Sequence, residues 1–191
     1  MTEEIKSAPE NIINLVNNIE MTSQRLRLHK FGADEIEFNV AHEMDAGLMK
    51  YIRDPLPLDK TRERTEKIAQ DWTGANQDWA AVSLRLLETG EYIGLVCLRY
   101  ESLENDTIEI GWRLDHKYHG KGFATEAAKS LLDFIKTQIK PHKIIACCVA
   151  ENTASSGIMR KLGMEKEAHF RENFKLQGQW VDAEVWGLLL G

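Results

Sequence analysis

The sequence contains little cysteine and no long uninterrupted hydrophobic run. Its three cysteines, Cys97, Cys147 and Cys148, are an odd number, which argues against a disulfide framework. All three lie in apolar, strand-like segments, so we interpret them as reduced core residues. No window approaches the roughly eighteen uncharged apolar residues that a membrane-spanning helix needs, and the acidic start MTEEIKSAPE lacks the apolar centre of a signal peptide. These absences predict a cytoplasmic protein without a membrane partner.

Basic residues are also fewer than acidic residues. The 24 Lys and Arg residues are outnumbered by 30 Asp and Glu residues, which gives a formal net charge of -6. This balance gives no overall attraction for a phosphate backbone and argues against direct nucleic-acid binding, whereas it suits cationic ligands. The 191 residues, 43% apolar and 28% charged, predict one folded domain over residues 21–191 after a helical extension at residues 1–20.

Hydrophobic periodicity predicts a chain in which strands and helices are mixed. A strand at 107–114, a helix at 122–139 and a strand at 143–149 predict one right-handed parallel crossover. The other predicted elements are helices at 9–20, 33–51, 58–72 and 153–162, and strands at 25–31, 79–87, 92–100, 164–175 and 180–190. We therefore expect an α/β (α+β) fold, in which helices flank a mixed and mostly antiparallel central sheet with a single parallel β-α-β crossover.

The connection inside this crossover has the composition of an anion-binding loop. It reads His119-Gly120-Lys121-Gly122-Phe123-Ala124-Thr125 and leads directly into the helix. Glycines allow the backbone to approach a ligand closely, and the free amides and dipole of a helix N-terminus favour an anion. No Ser or Thr follows Lys121 and the Gly-x-Gly-x-x-Gly spacing is absent, so the loop is neither a P-loop nor a dinucleotide motif. It predicts a pyrophosphate site, with an ordinary glycine turn as the alternative.

Several segments together match one family pattern: Gly111-Trp112-Arg113-Leu114, His119-x-x-Gly122-x-Ala124, Asn152-x-x-Ser155 and Lys161-Leu162-Gly163-Met164. From about residue 25 to residue 190 the chain resembles the GNAT superfamily of N-acetyltransferases. The segments at 22–28, 118–127 and 178–182 are similar to the branch that contains the ribosomal-protein N-terminal (alanine) acetyltransferases. His119 departs from the Gln or Arg with which the family loop begins.

The resemblance implies a coenzyme A site built mostly from backbone groups. It implies that the strand through Trp112 parts from its neighbour and pairs with the pantetheine arm, while the loop amides hold the pyrophosphate. Asn152 would bind the pantetheine arm. The cofactor-binding residues implied in this way are Trp112, Arg113, Leu114, His119, Gly120, Lys121, Gly122, Phe123, Ala124, Thr125, Asn152 and Ser155.

Acetyl transfer to an amine also needs groups that accept and donate protons. The family often places a tyrosine a few residues after the Asn, but residues 152–164 contain none. Ser155 matches the serine of the ribosomal branch and is our candidate to hydrogen-bond the departing sulfur, with capping of the following helix as the alternative. Glu109 is our candidate catalytic base, with a solvent-facing strand carboxylate as the alternative. His116 and His119 lack a third ligand, so we expect no metal.

The implied function is transfer of an acetyl group from acetyl-CoA, the co-substrate, to a primary amine. The α-amino group of a protein N-terminus is the favoured acceptor, because near pH 7.5 about a quarter of it is free amine, against about a thousandth of a lysine. Acetylation of a polyamine or an aminoglycoside is an alternative, and so is a non-catalytic acyl-CoA-binding regulator. The sequence leaves a homodimer open.

Overall fold

A single eight-stranded sheet runs through the computed structural model, which describes residues 7–190. In chain order the strands are β1 (Glu20–Thr22), β2 (Leu26–Lys30), β3 (Ala80–Leu86), β4 (Tyr92–Ser102), β5 (Thr107–Leu114), β6 (Lys143–Val149), β7 (Glu165–Leu176) and β8 (Gln179–Leu189). Across the sheet their order is β1-β2-β3-β4-β5-β6-β8-β7. Every neighbouring pair is antiparallel except β5 and β6. The predicted mixed sheet with one parallel crossover is confirmed.

Helices cover both faces of this sheet. Within residues 7–190 they are α1 (Glu10–Asn17), α2 (Ile36–Met44), α3 (Ala46–Met49), α4 (Leu58–Ile68), α5 (Phe123–Phe134) and α6 (Thr153–Lys161). Helix α5 makes the crossover between β5 and β6 and continues as a π-helical turn over Ile135–Ile139. None of the described helices has both the length and the apolar character that crossing a membrane requires.

The larger part of the apolar core lies on the side of the sheet that α5 covers. Ile108 and Ile110 of β5 are buried there together with Leu131 of α5. Val16 and Ile19, at the end of α1 and just after it, belong to the same cluster, so the leading helix packs on the common core. A smaller cluster lies on the opposite side, against the segments of α2 and α4, and consists of Phe31, Ala81, Tyr92 and Leu95.

The two parallel strands diverge along their length. They pair through Thr107↔Lys143, Ile108↔Ile144 and Glu109↔Ile145, and their pairing ends there. Strand β5 stays paired with β4 as far as Leu114, and β6 stays paired with β8 as far as Val149. The backbone over residues 110–114 therefore has a free edge on the β6 side, and a gap opens beside Glu109.

The segment from residue 33 to residue 51 is not the single helix that the sequence predicted. A short 3-10 turn leads into α2, and the chain then breaks at Asp45, which has an extended backbone. The Asp45 carboxylate accepts hydrogen bonds from the amides of Gly47 and Leu48 at 2.8 and 3.0 Å, so it caps α3. Strand β1 was also missed: Glu20, the last residue of the predicted 9–20 helix, begins a strand that runs to Thr22 and pairs with β2.

The three cysteines are free, but they are not all core residues. Cys97 and Cys148 are half-buried, whereas Cys147 is exposed. The core interpretation is therefore wrong for Cys147. Its strand loses the neighbour β5 beyond Ile145, so Cys147 lies beside the open gap instead of inside a continuous sheet.

Candidate active site

The predicted anion-binding loop lies at the N-terminus of α5. Gly120 and Gly122 have φ values of 71° and 81°, in the left-handed region that favours glycine. Gly122 is the N-cap residue of this 12-residue helix, and no side chain caps it. Within residues 7–190, none of the amides from residue 120 to residue 125 donates to a protein acceptor. The loop therefore presents a run of free amides at the positive end of a helix, as an anion site requires.

The side chains of the loop hold its shape. His119 Nε2 lies 2.8 Å from the carbonyl oxygen of Leu114 and ties the loop to the end of β5. The Phe123 ring packs edge-on against Tyr118, with ring centroids 5.8 Å apart, and Lys121 is exposed with its Nζ 5.6 Å from the same Tyr118 ring. The departure from the family pattern at His119 thus leaves the run of free backbone amides intact.

The last residues of β5 combine a free backbone edge with buried side chains. Trp112 packs against the core on the α5 side, and Leu114 is buried there. Arg113 extends to the opposite side, where its guanidinium donates to the Asn39 side chain of α2. Beyond Ile145, no described strand pairs with the β6-facing edge of these residues. The divergence that the family resemblance implied is therefore present.

A buried charge cluster lies between α2 and β5. Arg113 Nη1 is 3.3 Å from Glu43 Oε1, and the Arg53 guanidinium donates to the other carboxylate oxygen of Glu43. Burial alone would raise the pKa of Glu43, but Arg113 and Arg53 hold it below its ordinary value. Burial, helped by the charge of Arg113, lowers the pKa of His42, so this histidine is neutral near pH 7.

Glu109 lies where the gap opens. It is 9% exposed, and its Oε2 accepts hydrogen bonds from Arg99 Nε and Nη2 at 2.8 and 2.5 Å. The guanidinium of Arg99 lies 4.5 Å from the ring centroid of Trp79. The interpretation of Glu109 as a solvent-facing carboxylate is therefore wrong, because the side chain is buried and paired. On the other side of the gap, desolvation and the nearby Glu109 carboxylate raise the pKa of the Cys147 thiol.

Asn152, and not Ser155, caps helix α6. Asn152 Oδ1 accepts a hydrogen bond from the Ser155 amide at 3.2 Å, so the interpretation of Ser155 as the capping side chain is wrong. Ser156 is buried, and its hydroxyl donates to the Thr153 carbonyl at 3.3 Å. The Ser155 hydroxyl has no hydrogen-bond partner among residues 7–190, which leaves it available as a donor.

The two loop histidines are engaged by the protein. The rings of His116 and His119 meet edge to face, with centroids 5.1 Å apart. His116 Nε2 lies 3.4 Å from Asp45 Oδ1, and His119 binds the end of β5 as described above. In the part of the chain that the structure describes, no three His, Cys, Asp or Glu side chains are grouped so that they would hold a metal ion.

Sequence reasoning missed charged residues that lie beside this candidate site. Arg99 meets Glu109 because β4 and β5 pair in the register Arg99↔Glu109. Two opposite charges on strands adjacent in sequence were the available signal, since cross-strand pairs of opposite charge stabilise a sheet. Arg25 and Glu126, which meet beside the loop at residues 119–125, lie 101 residues apart and gave no local signal.

Comparison with known proteins identifies the family. The family model for the acetyltransferase (GNAT) domain matches residues 25–165. The N-acetyltransferase YnaD of Bacillus subtilis (strain 168), itself named as uncharacterized, is 29% identical over 171 residues, which are 90% of this chain and 97% of that protein. The spermidine N(1)-acetyltransferase of Escherichia coli (strain K12) is 33% identical over 94 residues, 49% of this chain and 50% of that protein. The [ribosomal protein uS5]-alanine N-acetyltransferase of the same strain is 29% identical over 73 residues, 38% of each chain.

Solved structures share the fold. A GNAT-family acetyltransferase from Bacillus anthracis superposes with a TM-score of 0.77 at 28% identity, over 90% of this chain and 99% of that one. The spermidine N-acetyltransferase of Vibrio cholerae, solved in complex with CoA and spermine, has a TM-score of 0.76 at 22% identity, over 88% of this chain and 97% of that one. Since the family model spans most of the sequence and the sheet diverges beside a loop of free amides, the chain belongs to the GNAT family and is an N-acetyltransferase.

Proposed function

We propose that this enzyme transfers the acetyl group of acetyl-CoA to the α-amino group of a protein N-terminus, with ribosomal-protein-type acceptors as the substrate class. The observation that supports acetyl transfer at this site is the gap beside Glu109, which opens within the same β5-α5-β6 crossover as the loop of free amides. An acetyltransferase has to hold a long acyl-CoA and admit an amine to its thioester. In this proposal, the loop holds the acyl-CoA and the gap admits the amine.

Acetyl-CoA would supply an activated thioester, and several residues fit it. The free amides from residue 120 to residue 125 suit the pyrophosphate, and nothing lies within 4 Å of a Cβ built on Gly120, so there is room for a phosphate. The free edge over Trp112, Arg113 and Leu114 suits the amide groups of the pantetheine arm, as a strand would pair there. The Asn152 side chain uses its oxygen to cap α6, and its NH2 group remains for the same arm.

The charges near the gap favour an acceptor with one amine over a polycation. Side chains alternate along β5, so Glu109 shares a face with Arg113, which contacts α2. On that face, Glu109 is paired with Arg99, and Glu43 is paired with Arg53 and Arg113. These carboxylates already have cationic partners, whereas a polyamine needs carboxylates of its own. The relatives include enzymes named for both kinds of acceptor, so we base the choice between a protein N-terminus and a polyamine on the charge arrangement.

Glu109 is the proposed acceptor of the amine proton. Arg99 occupies its Oε2, and the second oxygen remains for a proton. A carboxylate is a weak base. A weak base is sufficient for an α-amino group, of which about a quarter is unprotonated near pH 7.5. Ser155 is the proposed donor of a hydrogen bond to the departing sulfur.

The acceptor assignment is tested by comparing acceptors at pH 7.5. Release of the CoA thiol from acetyl-CoA is measured with a lysine-free peptide, with the same peptide blocked at its N-terminus, and with spermidine. We expect the free peptide to react at least about tenfold faster than the other two, and mass spectrometry to locate the acetyl group on the α-amine. A faster reaction with spermidine, or equal rates for the free and blocked peptides, would overturn the assignment.

A further inference from the structure

We propose that Arg25 is a positioning residue for acyl-CoA binding. Together with Glu126 at the start of α5, it clamps the loop at residues 119–125 to the turn between β1 and β2. The inference rests on the proposed function, since it takes this loop to be the pyrophosphate site. Arg25 lies in the turn between β1 and β2, far from the loop in sequence. Neither residue belongs to the cofactor contacts that the family resemblance implied.

Glu126 is the acceptor at the centre of the clamp. It lies one residue beyond the run of free amides, in the first turn of α5. Its Oε1 accepts hydrogen bonds from the Ser23 hydroxyl and the Arg25 amide, both at 2.7 Å, and its Oε2 accepts from Arg25 Nε at 2.7 Å. The Glu126 side chain is only 15% exposed. The start of α5 is thereby fixed to the turn between β1 and β2.

Arg25 extends the clamp to the loop itself. Its Nη1 donates to the carbonyl oxygen of Lys121 at 3.0 Å, and its guanidinium carbon lies 4.0 Å from the ring centroid of Phe123. One guanidinium thus contacts the residues on both sides of Gly122. A Cβ placed on Gly122 itself would lie 3.5 Å from Arg25 Nη2. Because glycine loses more conformational freedom on folding than other residues, a loop with two glycines is entropically costly to order. Arg25 restrains this loop at the residues before and after Gly122.

The same contacts argue against Arg25 as a direct phosphate ligand. Its Nε and Nη2 both lie 2.7 Å from Glu126 Oε2, and its Nη1 binds the Lys121 carbonyl. Nε and Nη1 therefore already donate within the protein, Nη2 is in salt-bridge contact with Glu126, and Glu126 balances the charge of the guanidinium. The role that remains is to preorganise the amides, which lowers the ordering cost when the ligand binds.

Isothermal titration of the full chain with coenzyme A tests the clamp. We expect Arg25→Ala to raise the Kd about tenfold, and Glu126→Ala to raise it by a similar factor. Both changes break the same unit, so the double variant should bind about as weakly as either single variant. Arg25→Lys keeps the charge but lacks the planar fork that reaches Glu126 and Lys121 together, and its Kd should lie between those of the parent and Arg25→Ala.

Arg27→Ala is the matched control. Arg27 lies on the same hairpin and pairs with Glu20 at 2.8 Å, with both side chains at least half exposed, and it makes no hydrogen bond to the loop among the described residues. Its Kd should equal that of the parent. Steady-state kinetics should show a raised KM for acetyl-CoA in Arg25→Ala, with kcat within about twofold, which a general loss of stability would not produce.

The outcomes separate this inference from the proposed function. If the parent binds no coenzyme A, or if Gly122→Val binds it as well as the parent, the proposed site itself is wrong. If the parent binds but Arg25→Ala binds within twofold of it, the clamp is wrong and the site stands. If Arg25→Ala weakens binding while Glu126→Ala leaves it unchanged or tighter, Arg25 is a direct ligand and the positioning role is overturned.

Discussion

Replacing Glu43 by glutamine tests how strongly the fold depends on the charge cluster between α2 and β5. Glu43→Gln keeps the size of the side chain but leaves Arg53 and Arg113 without their carboxylate. The Glu43 and Arg113 side chains are 6% and 9% exposed. Removing one member of a buried ion pair costs about 3 to 5 kcal/mol. Arg53 is 18% exposed and regains some hydration, so we expect the lower end, about 3 kcal/mol.

Urea unfolding at pH 7, followed by tryptophan fluorescence, measures this loss directly. For a chain of this length, about 3 kcal/mol corresponds to a fall in melting temperature of about 6 to 12 °C. Glu37→Gln is the matched control on the same helix. Glu37 pairs with Arg62, but its side chain is 72% exposed, so its removal should leave the unfolding midpoint unchanged.

The pH dependence gives a second, independent check of the same variant. The pKa of Glu43 is held below its ordinary value in the folded protein, so its stabilising effect is complete above about pH 4.5. That effect is lost as the pH falls through the folded pKa, whereas glutamine does not titrate. The difference in unfolding free energy should therefore be constant from pH 7 to about pH 5 and shrink below that. A difference under about 1 kcal/mol at pH 7, or one that grows on acidification, would refute the reasoning.

Five further outcomes are expected. A Cβ at Gly94 (φ 145°) would lie 2.2 Å from a backbone oxygen of β5, so Gly94→Ala should lower the melting temperature by more than about 10 °C. Gly90→Ala (φ 72°), which meets nothing within 4 Å, should cost only about 1 kcal/mol. Desolvation and the neighbouring carboxylate raise the pKa of Cys147 to about 12, so iodoacetamide labelling followed by mass spectrometry should be slow at pH 8 and about tenfold faster at pH 9. Ser155→Ala should lower kcat about tenfold with KM for acetyl-CoA unchanged, and a kcat within about twofold would remove its role. Glu109→Gln should lower kcat/KM about 10²-fold and recover partly at higher pH as the amine loses its proton, whereas an unaltered pH profile would exclude it as the base.

The elements that could be read from the sequence are those defined by local pattern. The crossover, its glycine loop and the hairpin of the last two strands all follow from hydrophobic period, glycine position and strand spacing, and all are present. The pattern failed where a short capping side chain interrupts a helix. Asp45 accepts two amides and restarts the chain as α3, yet the apolar spacing on either side of it continues as if one helix were present.

Polar side chains near the gap were harder to interpret, because their roles depend on register. Asn152 and Ser155 are three residues apart at the start of one helix, and either is a good N-cap by composition. The helix begins at Thr153, which makes Asn152 the cap and leaves the Ser155 hydroxyl free. A shift of the helix start by a few residues would have exchanged the two roles, and helix boundaries are the part of a sequence pattern that is least sharply defined.

The residues that the sequence identified and those that it missed differ in how they act. Loop residues such as Gly120 and Gly122 act through backbone conformation, which glycine content and helix position reveal. Arg99 and Arg25 act through long side chains whose partners are set by strand register or by packing across about a hundred residues, and no local pattern records those distances. A loop of amides binds well only if it is held in shape, so the charged pairs around it would complete the proposed site that the motif alone outlines. Sequences that keep the glycine loop but lose the arginine and glutamate beside it would then be expected to fold and still bind acyl-CoA weakly.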